Sequence, residues 1–251
     1  MSTYRQHYER CKTEFGDSKI DIENLNFDQS LEKTPEYNQL IESLSTKAAN
    51  TFNDKSKYNS ETFIKDIKDT LIFPEINLIH DYFYDQISNN FFGSDYTTNR
   101  VQICKSSPTN ADLSASWLWH YDDNGPTHIK LFIYLSDVNS KDDGAFCYAI
   151  NNDGLPVKVL TSKIGPQQRT KQVFPSSRVP QEFIDSQELK EQYVLGKKGE
   201  CFLFDPNIIH KGTVPASGHE RIALIYHYHP VTRKTELFNF LRAGVKDYIL
   251  R

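Results

Sequence analysis

Long apolar runs are missing from this 251-residue chain. No stretch approaches the roughly 18 consecutive apolar residues that a membrane helix needs. The first thirty residues also lack the apolar core of a signal peptide. Cysteine is scarce, with four residues at 11, 104, 147 and 201 and no Cys-x-x-Cys spacing. Cys104, Cys147 and Cys201 fall in apolar alternating stretches and read as buried thiols, which places the chain in a reducing cytoplasm. Neither sign of charge dominates: 29 Lys and Arg stand against 33 Asp and Glu, a net charge of −4. That balance argues against nucleic acid as an electrostatically driven partner. Internal repeats and low-complexity tracts are absent as well. The length suits one sizeable domain, here 1–251, or one domain with a helical elaboration.

What is present falls into two halves. Residues 1–33 are polar and read as at most partly ordered, with His7-Tyr8-Glu9 on a solvated helix face. Thr34-Pro35 reads as an N-cap followed by proline at the first helical position. Leu40, Ile41, Leu44, Ala48 and Phe52 follow at helical spacing. A second helix is expected from Ser60, burying Phe63, Ile64, Ile67 and Leu71. A third is expected after Pro74, with Ile76, Ile79, Phe83 and Ile87 on one face and His80 at its boundary. From Thr97 the period becomes two, with strands expected near 98–104, 127–136, 145–150, 200–205, 207–213 and 221–229. Short strands separated by polar turns point to a sandwich or barrel, with the helices of 1–96 on the outer face of one sheet. A last helix is expected near 234–243, within 231–251.

Residues 155–198 interrupt this core. Between Asp153 and Glu182 there is no acid, but Lys158, Lys163, Arg169, Lys171 and Arg178 occur. Pro166, Pro175 and Pro180 argue against regular structure there. Connections of this length carry function or are disordered. The segment reads either as a lid recognising an anionic substrate or as a solvated basic loop.

The chemistry concentrates in three places. His120 and Asp122 form a His-x-Asp pair just before the alternating stretch Thr127–Leu135. His210 lies between apolar runs in Cys201–Thr213, and Arg221 opens the apolar strand Arg221–His229. With 8 His and 33 acids a stray His-x-acid pair is expected about once by composition, and His7-Tyr8-Glu9 supplies it. Position distinguishes the second pair: it sits at the mouth of a strand, where a rigid element aims both side chains. Two imidazoles and one carboxylate on one face of a mononuclear Fe(II) leave adjacent positions for a chelating 2-oxoacid and O2. An Arg on a core strand needs a buried anionic partner, either that cosubstrate's far carboxylate or an internal Asp or Glu. His128, His227 and His229 compete for the metal by proximity or strand parity. His227 is also a candidate for substrate contact, and Trp117 and Trp119 read as packing residues.

Over roughly residues 99–230 these pieces resemble the phytanoyl-CoA dioxygenase family of Fe(II)/2-oxoglutarate oxygenases. The resemblance is carried by Trp119-His120-Tyr121-Asp122, by Lys130–Val138 leading to Asp143–Phe146, by Gly199–Asp205, by His210–Thr213 and by Arg221. It implies a mainly β fold with flanking helices around a double-stranded β-helix, or jelly-roll, core. It implies Fe(II) held by His120, Asp122 and His210, and 2-oxoglutarate anchored by Arg221. Gln102 stands where relatives place a Gln or Lys on the cosubstrate's other carboxylate. Thr213 is the candidate hydroxyl beside Arg221, although relatives more often carry it one residue earlier. The family's usual Gly-Ser-His segment is replaced by Asn151–Gly154, which leaves the substrate open. The retained Asp122 favours hydroxylation over halogenation, since halogenating relatives have a small residue there. The expected partners are O2 and a small molecule. The rivals are a non-catalytic jelly-roll binding protein, an oxygenase of the same superfamily acting on protein or nucleic acid or performing a non-hydroxylating oxidation, and a hydrolytic zinc site.

Overall fold

The computed structural model describes residues 3–16, 19–52, 62–66, 72–110, 115–161, 163–165, 168–169, 174 and 176–232. In chain order the elements are α1 (Thr3–Phe15), β1 (Phe27–Asp28), α2 (Pro35–Phe52), β2 (Thr62–Asp66), α3 (Glu75–Ile87), β3 (Tyr96–Ser106), β4 (Ile129–Tyr134) and β5 (Phe146–Ile150). They continue with β6 (Lys163–Gly165), β7 (Gln168–Arg169), α4 (Gln181–Ser186), β8 (Lys190–Val194), β9 (Cys201–Phe204), β10 (His210–Gly212) and β11 (Arg221–Pro230).

Two antiparallel sheets face one another. The larger has the order β1-β9-β4-β11-β3-β2 and the smaller β10-β5-β8, while β6 and β7 pair separately. Alternation along the strands of the larger sheet sends side chains to two different cores. On the outer face Ile103, Ile129, Leu131, Leu203 and Leu224 pack under Ile41 and Leu44 of α2 and Ile79 and Phe83 of α3. On the inner face Phe132, Tyr134, Phe202 and Phe204 meet Phe146 of β5 and Val194 of β8. The Tyr134 hydroxyl donates to the carbonyl of Val194 at 2.8 Å and accepts from the Phe146 amide at 2.9 Å, joining the two sheets. Outside the smaller sheet, Trp119, Cys147, Ala149 and Ile209 pack with Val179 and Ile184. Trp117 is buried too, and all four cysteines are buried free thiols.

The six expected strands of the core correspond to β3, β4, β5, β9, β10 and β11, and α2 and α3 bury the stripes expected of them. Three expectations need correction. Residues 62–66, expected to be helical, form strand β2 beside β3. Phe63-Ile64 fits either period, and pairing with an open sheet edge decides it; Ile67 and Leu71 lie outside the described residues. The stretch before residue 97 therefore supplies both edges of the larger sheet, β1 and β2, besides its helices. The polar N-terminus contains the ordered helix α1, and Tyr8 is fully buried. The Tyr8 hydroxyl donates to the carbonyl of Phe92 and accepts from the Ile22 amide at 3.1 Å. Tyr4, Tyr8 and Cys11 form a buried helical stripe, and the Tyr8 hydroxyl finds its partners in distant segments, so overall polarity hides a buried face. Finally, the 155–198 segment holds α4 and β8. Pro180 precedes the helix, a position where proline starts helices rather than breaking them, and β8 pairs β5. Lys171 and the 234–243 helix lie outside the described residues, and among those described no helix is long and apolar enough to cross a membrane.

Phe202 is fully buried, stacked on Phe132 with ring centroids 5.0 Å apart and 5.1 Å from Phe146. Phe202→Ala is expected to lower unfolding stability by about 3–5 kcal/mol, read from urea denaturation; a loss under about 1 kcal/mol would contradict this packing.

Candidate metal centre

His120 and His210 are joined by their own backbones. The His120 amide donates to the His210 carbonyl at 2.9 Å, and the His210 amide to the His120 carbonyl at 2.8 Å. This single antiparallel bridge extends the smaller sheet past β10 and puts both imidazoles on one face. Asp122 lies two residues beyond His120, with its amide fixed to the Pro206 carbonyl at 2.9 Å. Each imidazole is oriented in the same way. Nδ1–H of His120 donates to Leu118 O and Nδ1–H of His210 to Ile208 O, both at 2.8 Å. Both Nε2 lone pairs are then left toward Asp122, the arrangement that metal-ligating histidines use.

The ligand atoms of His120, Asp122 and His210 lie within 4.8 Å of one another, and among the described residues these three form the one such group. Asp122 Oδ1 is 4.0 Å from His120 Nε2, and Oδ2 is 3.9 Å from His210 Nε2. Each separation lies within the span of two bonds of roughly 2.1 Å to one ion. Burial keeps both imidazoles neutral, pushing His210 down to about 3 and His120 down as well. Burial alone would raise the Asp122 carboxyl, but the Lys130 ammonium beside it holds it well below the usual carboxylate range. The donor set is therefore in the protonation state a cation requires.

Beside this group opens a cavity of about 560 Å³, between the sheets. Arg221, at the start of β11, is buried in its wall, 7% exposed. Its Nη1 donates to Gly144 O at 2.6 Å and its Nη2 to Ser106 Oγ at 3.1 Å. Nε has no hydrogen-bond partner. The guanidinium lies 5.6 Å from the centre of the Phe132 ring, and burial lowers its pKa. Among the described residues no carboxylate pairs with it, so the internal Asp or Glu weighed above is not found there. Gln102 also lines the cavity, its Oε1 2.9 Å from Nε2 of His227.

Thr213 is not brought to Arg221. Its hydroxyl donates to Ala145 O at 2.9 Å and Lys141 O at 3.1 Å. One residue earlier stands Gly212, where a Cβ would lie 3.8 Å from Arg221 Nη2. Ser106, directly opposite Arg221 in the β3–β11 ladder, supplies the hydroxyl instead. Sequence reasoning missed it because cross-strand register is not written in either strand. It also missed Lys130, whose Nζ is 2.6 Å from Asp122 Oδ2. There a signal existed: alternation puts Lys130 on the face of Phe132 and Tyr134. Of the competing histidines, His227 and His128 line the cavity, and His128 packs 5.7 Å from His229; none of the three belongs to the three-residue group.

No family model matches the chain, and no curated protein matches it. Solved structures do. AviO1 from Streptomyces viridochromogenes Tue57 aligns with a TM-score of 0.54 at 15% identity, over 91% of this chain and 96% of that one. EctD from S. alaskensis in its apo form aligns at 0.54 and 13% identity, over 88% and 76%. The same protein with 2-oxoglutarate and 5-hydroxyectoine aligns at 0.53 and 12%, over the same shares. At these identities the likeness establishes a common fold.

Two outcomes follow. Asp122→Ala is expected to weaken Co(II) or Fe(II) binding, in anaerobic titration, by more than the roughly 10–100-fold that loss of an outer-shell partner costs; retained affinity would remove Asp122 from the group. Burial pushes His227 down to about 3 and His229 to about 4, below the roughly 6.5 of an unfolded histidine. Above about pH 6.5 both states are neutral; below it the unfolded chain takes up protons that the folded chain refuses. Stability of the metal-free protein is thus expected to fall from about pH 6.5 toward about 3. His227→Gln is expected to make the urea midpoint less sensitive to pH over that window, and an unchanged slope would count against a neutral, half-buried His227.

Proposed function

We propose that this chain is an Fe(II)- and 2-oxoglutarate-dependent dioxygenase that hydroxylates a C–H bond of a small molecule. The observation that carries this reading is the combination in one cavity of an open two-His, one-carboxylate group and a buried guanidinium without a carboxylate partner. Such a facial group with open positions is the donor set of non-haem Fe(II) oxygenases. EctD, which shares the fold, binds 2-oxoglutarate. We read the two facing sheets as the double-stranded β-helix of such enzymes, with 97–230 as its core within a single domain of 1–251. Four buried free thiols agree with a reducing cytoplasm.

In this reading His120, Asp122 and His210 hold the iron, and the Nδ1 hydrogen bonds keep both rings aimed at it. Arg221 receives the far carboxylate of 2-oxoglutarate, with Ser106 rather than Thr213 orienting the guanidinium. Gln102 meets the cosubstrate's other carboxylate. Phe132, Phe146 and Phe204 make the wall between these groups apolar, which strengthens the Arg221 interaction by excluding water. Bound iron supplies the activation of O2. One turnover converts 2-oxoglutarate, O2 and a substrate C–H bond into succinate, CO2 and the hydroxylated product.

Reconstitution with Fe(II) under nitrogen, followed by air, is expected to yield 2-oxoglutarate-dependent succinate, with Zn(II) unable to replace iron. Arg221→Ala is expected to raise KM for 2-oxoglutarate by roughly 10–100-fold, the worth of charge-assisted hydrogen bonds. Succinate formation that is absent, or indifferent to Arg221, would refute the proposal.

A further inference from the structure

Strand pairing aims Lys130 at the metal group. It lies on β4 between His227 of β11 and Phe204 of β9. Alternation puts its side chain on the inner face with Phe132 and Tyr134. The stem runs along the cavity wall, with Nζ 5.9 Å from the centre of the Phe204 ring. The ammonium ends 2.6 Å from Asp122 Oδ2 and its side chain is 12% exposed. Among the described residues Asp122 is the one acceptor it has.

The Asp122 carboxylate offers one oxygen to each imidazole. Oδ1 lies 4.0 Å from His120 Nε2, and Oδ2 lies 3.9 Å from His210 Nε2. A carboxylate so placed can close on a cation with one oxygen or with both. Here the two oxygens are not equivalent, because Oδ2 carries the ammonium. A divalent ion and an ammonium on the same oxygen, in a wall of apolar rings, repel at short range. Among the described residues Oδ1 has no such partner, so it is the oxygen left for an ion.

We propose that Lys130 is a positioning residue that limits Asp122 to a single bond to the metal, through Oδ1, and so preserves an open coordination position. This rests on the reading above, in which His120, Asp122 and His210 hold the iron. Two imidazoles and one carboxylate oxygen fill half of an octahedral ion. A chelating 2-oxoacid takes two more positions and O2 needs the last one. A second oxygen from Asp122 would close that last position. The ammonium has a further effect when no ion is bound, since it supplies the counter-charge of a partly buried carboxylate. Removing it destabilises the metal-free protein. The metal-bound protein gains an oxygen ligand and loses a neighbouring like charge, so the variant binds the ion no more weakly.

The test loads the full chain with Mn(II), counts the waters on the ion by water-proton relaxation and measures Mn(II) affinity by calorimetry. The wild-type protein is expected to hold about three waters on six-coordinate Mn(II), and about one once 2-oxoglutarate is added. Lys130→Met is expected to hold about two and then about none, and to bind Mn(II) at least as tightly as the wild-type protein. Lys130→Arg keeps both charge and donor and is expected to restore the wild-type count. A lysine that merely supported the fold would, when removed, weaken Mn(II) binding and leave the count alone. About two waters on the wild-type ion, an unchanged count in Lys130→Met, or a loss of about tenfold or more in its Mn(II) affinity overturns the inference alone. The wild-type count decides the matter if Lys130→Met does not fold. No binding of Mn(II) to the wild-type protein, or a count that 2-oxoglutarate does not lower, overturns the oxygenase reading and the inference with it.

Discussion

One pair of reciprocal backbone hydrogen bonds, between His120 and His210, holds the centre of this molecule together. It joins two segments far apart in the chain and makes their side chains neighbours on one sheet face. Everything else at the metal group follows from it. Asp122 is presented two residues along the same extended stretch, and both rings are turned by carbonyls two residues before them, Leu118 and Ile208. The same local device used twice yields two aligned Nε2 atoms. A ligand set built from backbone pairing is rigid before any ion arrives, which spares the cost of ordering it on binding.

The second constraint is electrostatic. Burying the Arg221 guanidinium among Phe132, Gly144 and Ser106 with no carboxylate partner among the described residues is expensive, and the neutral acceptors at Gly144 and Ser106 answer only part of that cost. Lys130 shows the complementary solution, since its charge is met by Asp122 at 2.6 Å. A cavity that keeps one cation paired with a ligand carboxylate and another without one is arranged for an incoming anion. The fold tolerates this because the outer layer, where α2 and α3 cover Ile129, Leu131 and Leu224, carries the apolar burial independently of the cavity.

Much of this was legible beforehand where a single segment carries its own period. The stripe Ile76, Ile79, Phe83, Ile87 and the alternation of Arg221–His229 each encode one buried face, and both form as read. Reading failed where a neighbour decides. Phe63-Ile64 became an edge strand because β3 offered unpaired backbone groups. His7-Tyr8-Glu9 reads as a solvated face because tyrosine looks polar until its hydroxyl finds a buried carbonyl. The family resemblance places Thr213 beside Arg221, whereas its hydroxyl turns to the carbonyls of Ala145 and Lys141.

The chain alone determined which side chains are available for chemistry: the His120-x-Asp122 pair, His210 and Arg221 at strand ends, where a rigid backbone aims them. Side-chain type and strand parity are local properties, and local properties can be read from a string of residues. Only the tertiary structure decided which of the several histidines meet, that Ser106 takes the place beside Arg221, and that Lys130 stands between His227 and Phe204. Those facts depend on register between strands distant in sequence, and register is set by the packing of two cores at once rather than by any one segment.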